Sequence, residues 1–429
     1  MSAGFMGMRG NGDWAANQWP ENWRETVLFL YPNGTAPLTA IMSKMAEESV
    51  DSPVFNWWDK SLATQAGAVT NVYTEVTLTT AYTTGGVAGD ILYVKTTAAI
   101  VSEFRQGHKV LLMNTANYAD STNAKVVATP TSNGANSYMP VKLLQADPTT
   151  TGIADCNRIL IIGNMNPEGG IMPDAIAYDP TQRTNYTEIL RTPLSITRTA
   201  LKTHLRTGDQ YQEAKREALE LHSVEMEKSI IWSYGYNGTG DNGKPERSTW
   251  GLIPYLSANG GITDDFSTNT DYTDTTWLAN GEEWLDVQLE ELFRYGGRER
   301  LGLAGSGAIL GINKLVKEYG TFNFTAETTS YGINVMKWVT PFGTVNLIVH
   351  PLFSFEETHR NSMVLFEPKN LKYRYITDTT FYNDPDKKNT GRNRIDGTDE
   401  EYLTEMGFEI HHPSTMAYLN GFNTDNGSP

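Results

Sequence analysis

Gly305-Ser306-Gly307-Ala308-Ile309-Leu310-Gly311 is the stretch most open to chemistry in this chain. It follows a strand-like run at Leu301–Ala304 and opens a helical pattern ending at Tyr319, so backbone N–H groups at the turn could cradle a phosphate. Glu327 stands about twenty residues beyond Gly307, near where a ribose-binding acid belongs. The spacing, however, is GxGxxxG, and no parallel βα repeat follows. A capped helix start packed closely on its strand is the stronger reading. The histidines form no HExxH pair, and His411-His412 would point to opposite faces of a strand. Neither a GxSxG elbow nor an EF-hand spacing is present. Glu282, Glu283, Glu290 and Glu291, together with the tryptophans, could form the paired carboxylates of a glycosidase cleft. Their helical spacing points instead to a solvated helix face. The single cysteine, Cys156, leaves no intrachain disulfide and no Cys/His zinc spacing. The sequence therefore offers no catalytic residue, no cofactor site and no metal site.

Composition narrows the class. The 34 Lys and Arg residues against 50 Asp and Glu give a net charge of −16. A chain this acidic lacks the basic face that general nucleic-acid binding needs. Its 38 Gly, 19 Pro and 21 Tyr make it too turn-rich for an all-helical protein and too aromatic for a disordered one. The N-terminal Met1–Gly10 has no apolar core of the kind a secretory leader carries. Apolar runs such as Val27–Tyr31 fall far short of a membrane span. The expectation is a soluble product of a reducing cytoplasm.

The elements must then be found. Residues 1–68 scatter turn formers among large aromatics, including Trp14, Trp19, Trp23, Trp57 and Trp58, with a short helical pattern only from Ala36 to Ser49. An extended arm cannot bury such side chains on itself. They must dock on the chain's own core or on a neighbouring copy. Residues 69–163 carry six short β-type runs between turns and read as a self-contained barrel or sandwich. Residues 164–207 read as an extended two-stranded arm, with Pro193 at an edge or bulge. From residue 171 to 207 this arm sets five basic side chains, among them Arg183, Arg191 and Arg198, against three acidic ones.

The clearest helix spans residues 209–233, with Asp209 as its cap and two apolar stripes. Residues 250–385 alternate helices with strands as an α+β unit. Within 248–293 there are nine acids and no Lys or Arg. The stretch around Tyr402–Ile410 alternates with period two, as a long half-buried strand does.

This order of pieces, with Asn185-Tyr186-Thr187-Glu188-Ile189-Leu190-Arg191-Thr192-Pro193, Gly208-Asp209-Gln210-Tyr211, His222–Glu227, Phe55-x-Trp57-x-Asp59 and Glu401-Tyr402-Leu403-Thr404-Glu405, resembles the major capsid proteins of tailed bacteriophages. The resemblance implies a Hong-Kong-97-like α+β fold. Residues 1–68 would be the N-terminal arm and 69–163 an inserted all-β barrel or sandwich. Residues 164–207 would be the extended loop crossing a neighbour. Residues 208–249 would hold the spine helix of the peripheral domain, 250–385 the axial domain, and 386–429 the returning peripheral strand.

It further implies self-assembly as hexamers and pentamers into an icosahedral shell in the host bacterial cytoplasm. The shell would enclose double-stranded DNA without sequence-specific binding and without a membrane. Scaffold, portal and decoration proteins would be further partners. Trp14, Trp19, Trp23, Trp57, Trp58, Arg183, Arg191 and Arg198 are the expected inter-subunit contacts. Asn164 to Ala200 contains no lysine, so the covalent cross-linking known from some such shells is not carried over. The competing readings are a carbohydrate-active or carbohydrate-binding protein, and a phage tail or fibre component.

Overall fold

The computed structural model describes residues 47–60, 65–148, 152–203, 209–319, 323–330, 333–383 and 397–427. Trp14, Trp19 and Trp23 lie outside these residues. The chain divides into two compact units, Trp58–Thr181 and a larger one formed by the segments on either side in sequence.

Trp58–Thr181 contains one antiparallel seven-stranded sheet. Its order is Ala66–Ala68, Arg158–Asn164, His108–Asn114, Asn117–Val126, Tyr138–Leu143, Ile91–Lys95 and Asn71–Tyr73. The two outermost strands are joined by Val69 and Thr70 alone. Laid flat, six strand spacings would separate them by ~29 Å, whereas the link can stretch only ~11 Å. The sheet must therefore curl, and the link fills the seam. Val69 N donates to Asn157 O at 2.8 Å, and Thr70 N donates to Lys95 O at 2.9 Å. Inside lie Val72, Val94, Val110, Leu112, Ala124, Val126, Met139, Val141 and Ile159, one or two from each main strand. This is a barrel-like unit wider in sequence than the expected 69–163. It gains the strand Ala66–Ala68 and the segment 165–181.

The larger unit holds a four-stranded and a seven-stranded sheet. The four-stranded sheet runs Glu47–Ser49, Leu371–Asn383, Gly397–Ile410 and Glu188–Thr197. Glu47–Ser49 pairs in parallel with Tyr373–Tyr375, so the helical pattern read from Ala36 to Ser49 gives way to strand in its last three residues. Glu188–Thr197 pairs along its length with Gly397–Met406, leaving Pro193 on an edge strand, where its missing N–H costs no ladder bond. Thr181–Tyr186 pairs with Val54–Asp59. The expected free arm at 164–207 is thus held from residue 181 to residue 197 by strand pairing in its own chain. The two clean halves expected at 250–385 and 386–429 also give way. Leu371–Asn383 joins the four-stranded sheet, while Ala417–Asn420 joins the seven-stranded one.

The seven-stranded sheet orders Ile262–Asp265, Ala417–Asn420, Met363–Phe366, Glu299–Ala304, Thr344–Val349, Ile333–Val339 and Asn323–Ser330. It separates two cores. Met363 and Leu365 join the cluster built on the helices Trp277–Phe293 and Ser306–Tyr319. Val364 and Phe366 join the other, with Ile230, Ile231, Phe353 and Phe408. Alternate side chains of one fully buried strand thus serve opposite cores.

Candidate assembly surfaces

The phosphate-cradle reading fails on geometry. Gly307 N and Ala308 N both donate to Arg360 O, at 3.0 and 3.2 Å, and Ser306 N donates to Ser354 Oγ at 3.1 Å. The first turn of Ser306–Tyr319 is satisfied by its own chain, which leaves no free amides for an anion. The glycosidase reading fails as well. Trp277 and Trp284 are core residues, and Trp284 Nε1 donates to Asp264 Oδ2 at 2.6 Å. Glu283 and Glu291 lie exposed on the helix Trp277–Phe293, and Glu290 pairs with Arg294 one turn on. Among the described residues no group of three His, Cys, Asp or Glu could hold a metal ion.

What the larger unit does contain is a buried polar seam under the helix Gln210–Trp232. Asp209 caps this helix, its Oδ1 accepting from Tyr211 N at 2.9 Å. His222, fully buried, lies 2.9 Å from Thr192 Oγ1 through Nδ1 and 2.7 Å from Thr404 Oγ1 through Nε2. Thr192 Oγ1 also donates its one proton to Glu225 Oε2 at 3.0 Å. It must therefore accept from His222 Nδ1–H. That leaves Nε2 to accept from Thr404, which in turn accepts from Thr379 Oγ1 at 2.9 Å. The chain of donors runs Thr379, Thr404, His222, Thr192, Glu225 and ties three strands to one helix. Burial holds the His222 pKa below its ordinary value, in keeping with a neutral ring.

His350 behaves similarly one turn further along. Its Nδ1 accepts from Leu352 N at 3.2 Å, so Nε2 carries the proton and donates to Glu227 Oε1 at 2.7 Å. Both side chains are fully buried. These histidines lock elements together.

The exposed apolar groups lie elsewhere. In the larger unit, a cleft of about 500 Å³ is lined by Lys228, Trp232, Leu352, Phe355, Glu356, Thr358 and His359. Phe355 is 71% exposed. In the barrel unit, the segment 165–180 is anchored where Met165 N donates to Gly107 O at 2.8 Å and Arg105 Nη1 donates to Asp174 O at 2.7 Å. Between these anchors Ile171 and Met172 stand 97% and 88% exposed. Exposed apolar side chains of this kind mark surfaces that other molecules cover.

A family model described as SU10 major capsid protein matches residues 8–423. This chain belongs to the SU10 major capsid protein family. A major capsid protein of Pseudomonas phage PaMx41 is 21% identical over 409 residues, covering 92% of this chain and 91% of that one. Among solved structures, one of Mycobacterium phage Bobi aligns with a TM-score of 0.45 and 7% identity over 95% of this chain and 96% of its own. The capsid of Myoviridae phage XM1 aligns with a TM-score of 0.41 and 8% identity over 94% and 96%.

Within this capsid protein, the residues expected at inter-subunit contacts divide. Trp57 is turned inward, 5% exposed, against Phe55, Tyr255 and His411, so its own chain covers it. Phe55 lies directly on Gly407, where any side chain would collide with its ring. Trp58, the next residue, is 61% exposed. Alternation along Val54–Asp59 explains the split, a signal already present in the sequence. Arg183 Nη1 donates to Asn259 Oδ1 at 2.6 Å. Arg191 grips Glu401 with two nitrogens, at 2.8 and 2.7 Å. Arg198 is exposed on the short helix Arg198–Lys202.

Sequence reasoning missed Arg300. It is fully buried, and its guanidinium donates to the carbonyls of Leu292, Tyr295, Gly297, Glu299 and Thr415 at 2.6–3.3 Å. Gly296-Gly297, read only as a helix stop, is the loop it fastens.

Proposed function

We propose that this capsid protein forms the wall of an icosahedral phage shell, as hexamers and pentamers of itself around double-stranded DNA, and carries out no catalysis. The family match over nearly the whole chain is the observation that carries this reading. Its physical support is that the buried His222, His350 and Arg300 clusters of the larger unit are each bonded to groups of their own chain. The net charge of −16 suits a wall from which packaged DNA must detach. Many weak contacts repeated by symmetry close a container without any single tight interface.

The barrel unit has its own core and its own closed seam, which suits a module standing on the outer surface and bracing neighbouring capsomers. Trp58, Arg183, Arg191 and Arg198 remain the proposed contacts on the described residues, with Trp14, Trp19 and Trp23 on the N-terminal arm. Scaffold, portal and decoration proteins are the further partners, and assembly takes place in the host cytoplasm. Expression of the full chain, with scaffold supplied in a parallel culture, followed by negative-stain electron microscopy tests the reading. Closed shells are expected. Compact monomers in both cultures overturn it.

A further inference from the structure

The outward face of the barrel unit carries an arrangement that its own sheet disfavours. Lys109 stands directly opposite Lys125, and Lys125 directly opposite Lys142. Three lysines thus form one row across the adjacent strands His108–Asn114, Asn117–Val126 and Tyr138–Leu143. Their sequence neighbours Val110, Ala124, Val126, Val141 and Leu143 point into the core, which puts the lysines outside. Adjacent strands lie ~4.8 Å apart, and like charges set directly opposite each other destabilise a sheet. Among the described residues none of the three forms an ion pair. The one acid on these strands, Asp120, is buried and accepts from Asn117 Nδ2 at 2.9 Å.

The row continues onto the strand Ile91–Lys95, where Ile91 stands opposite Lys142 and is 48% exposed. Further along the same face lie Tyr93 and Tyr138, both half-buried, with ring centroids 5.7 Å apart and planes crossed at 73°. Tyr138 stands opposite Lys95, whose Nζ lies 3.5 Å from Asn136 Oδ1.

An unrelieved cationic row fits an anionic partner, and its chemistry can be narrowed. Protein interfaces are depleted in lysine. Duplex DNA presents a charge every ~1.7 Å, far denser than one per strand. Phosphates and base edges are gripped best by arginine forks, and the row has no arginine. Crossed rings give no platform for successive stacked bases. Trp58–Thr181 as a whole carries seven basic against ten acidic side chains, so a dense polyanion is repelled beyond the row. A sugar chain with one carboxylate per ring is sparse enough. Each ring advances it by about one strand spacing, its C–H faces suit tyrosine, and its hydroxyls suit asparagine amides.

We propose that this face binds an acidic polysaccharide, laid across the strands with successive carboxylates on Lys109, Lys125 and Lys142 and its rings against Ile91 and Tyr93. This gives the wall protein an adhesive surface and requires nothing of the contacts between copies.

Affinity electrophoresis of the full chain through gels containing polygalacturonate tests it, with neutral dextran and single-stranded DNA in parallel gels. Polygalacturonate should retard the wild type, dextran should not, and added salt should release it. Lys125→Glu should raise the dissociation constant at least roughly tenfold, and Lys125→Arg should retain binding. Lys125→Gln should weaken binding several-fold while the subunit withstands equal or more urea, because like-charge crowding is relieved. A lysine serving only the fold would lose stability instead. Tyr93→Ala should weaken binding roughly three- to tenfold and leave its salt dependence unchanged.

A wild type that runs unretarded at low salt overturns the assignment, as does equal retardation by dextran or retardation that Lys125→Glu leaves intact. Equal or stronger retardation by single-stranded DNA gives the row to nucleic acid and overturns the polysaccharide. None of these results touches the shell function, which particle images decide.

Discussion

The barrel of Trp58–Thr181 and the larger two-sheet unit bury their side chains by different means. The barrel interior is almost entirely aliphatic, and among its described residues the buried polar groups are few, with Thr96, His108, Asp120, Thr122 and Ser137 the main ones. The larger unit buries His222, Glu227, Arg300, His350, Glu367, Glu400 and Glu409. Hydrophobic burial is non-directional and tolerates small shifts, whereas buried charges are stable only when each partner is in place. The barrel is therefore fastened by area, the larger unit by matched pairs and networks. Such networks select one arrangement of helices and sheets, which suits a subunit that must present the same shape in many copies.

Arg300→Ala should break the comparison most strongly. It orphans five carbonyls and leaves Glu367, 3.7 Å from the guanidinium, without that cation. A loss of ~3–5 kcal/mol is expected in the larger unit, because an uncompensated buried network costs far more than the pair contributes. Calorimetry should show that unit's transition collapse while the barrel's stays in place. Leu112→Ala is the mirror experiment. It opens a cavity in the barrel core, should cost roughly 2–5 kcal/mol, and should lower the barrel transition alone.

Acid sharpens the contrast next. Glu409 is almost fully buried, and burial alone would raise its pKa. Hydrogen bonds from His411 and Arg374, with the charges of Arg374 and Lys372, outweigh this and hold it at about 2, against an ordinary 4.5. A depressed carboxyl contributes stability in full above its unfolded value and loses it as pH falls toward the folded one. The larger unit should thus lose on the order of 2–3 kcal/mol between pH 4.5 and pH 2. Urea titrations at pH 7, 4.5 and 3 measure this, and Glu409→Gln should flatten the slope.

The same contrast governs what could be read in advance. Barrel strands such as Leu92/Val94, Val110/Leu112 and Met139/Val141/Leu143 alternate cleanly, and five of the seven were legible at least in part, whereas the run read as a strand over Tyr73–Thr79 is turn and bend beyond Tyr73, where the strand Asn71–Tyr73 ends. Ala66–Ala68 has no such alternation and was not. The helix Ser306–Tyr319 was legible to its ends because Ile309, Ile312, Leu315 and Val316 share a face before Gly320. In the larger unit, pattern alone fell short. Asn323–Ser330 is Thr-rich and carries no period-two apolar signal, so its strand was missed. Glu47–Ser49 became a strand through pairing with Tyr373–Tyr375, a tertiary contact that overrides local propensity. Leu371–Asn383 was assigned to the wrong sheet because a sequence names strands but not their neighbours. The loop at 164–170 was visible, but the projection of Ile171 and Met172 depends on anchors at Gly107 and Arg105 that lie far away in sequence.

Thr192→Val asks how much of the seam is directional. The substitution keeps the shape and removes the hydroxyl that accepts from His222 Nδ1–H and donates to Glu225. A cost of about 1–2 kcal/mol is expected, since one buried donor is left unsatisfied. Thr192→Ser, which restores the hydroxyl, should recover most of it in the same urea titration.

Arg191→Ala should have the smallest effect on the isolated chain. The pair with Glu401 is bidentate, but the Arg191 side chain is 60% exposed, and exposed ion pairs contribute under ~1 kcal/mol. Its value lies in comparing two measurements on one variant. If Arg191 serves only Glu401 of its own chain, subunit stability and assembly should fall together by the same small amount. If it also meets an acidic neighbour, assembly should fall several-fold further, and added salt should narrow the gap between variant and wild type, because screening weakens exposed contacts between copies. Light scattering at two ionic strengths, beside a urea titration of the disassembled subunit, separates the two. Equal losses would confine Arg191 to the fold.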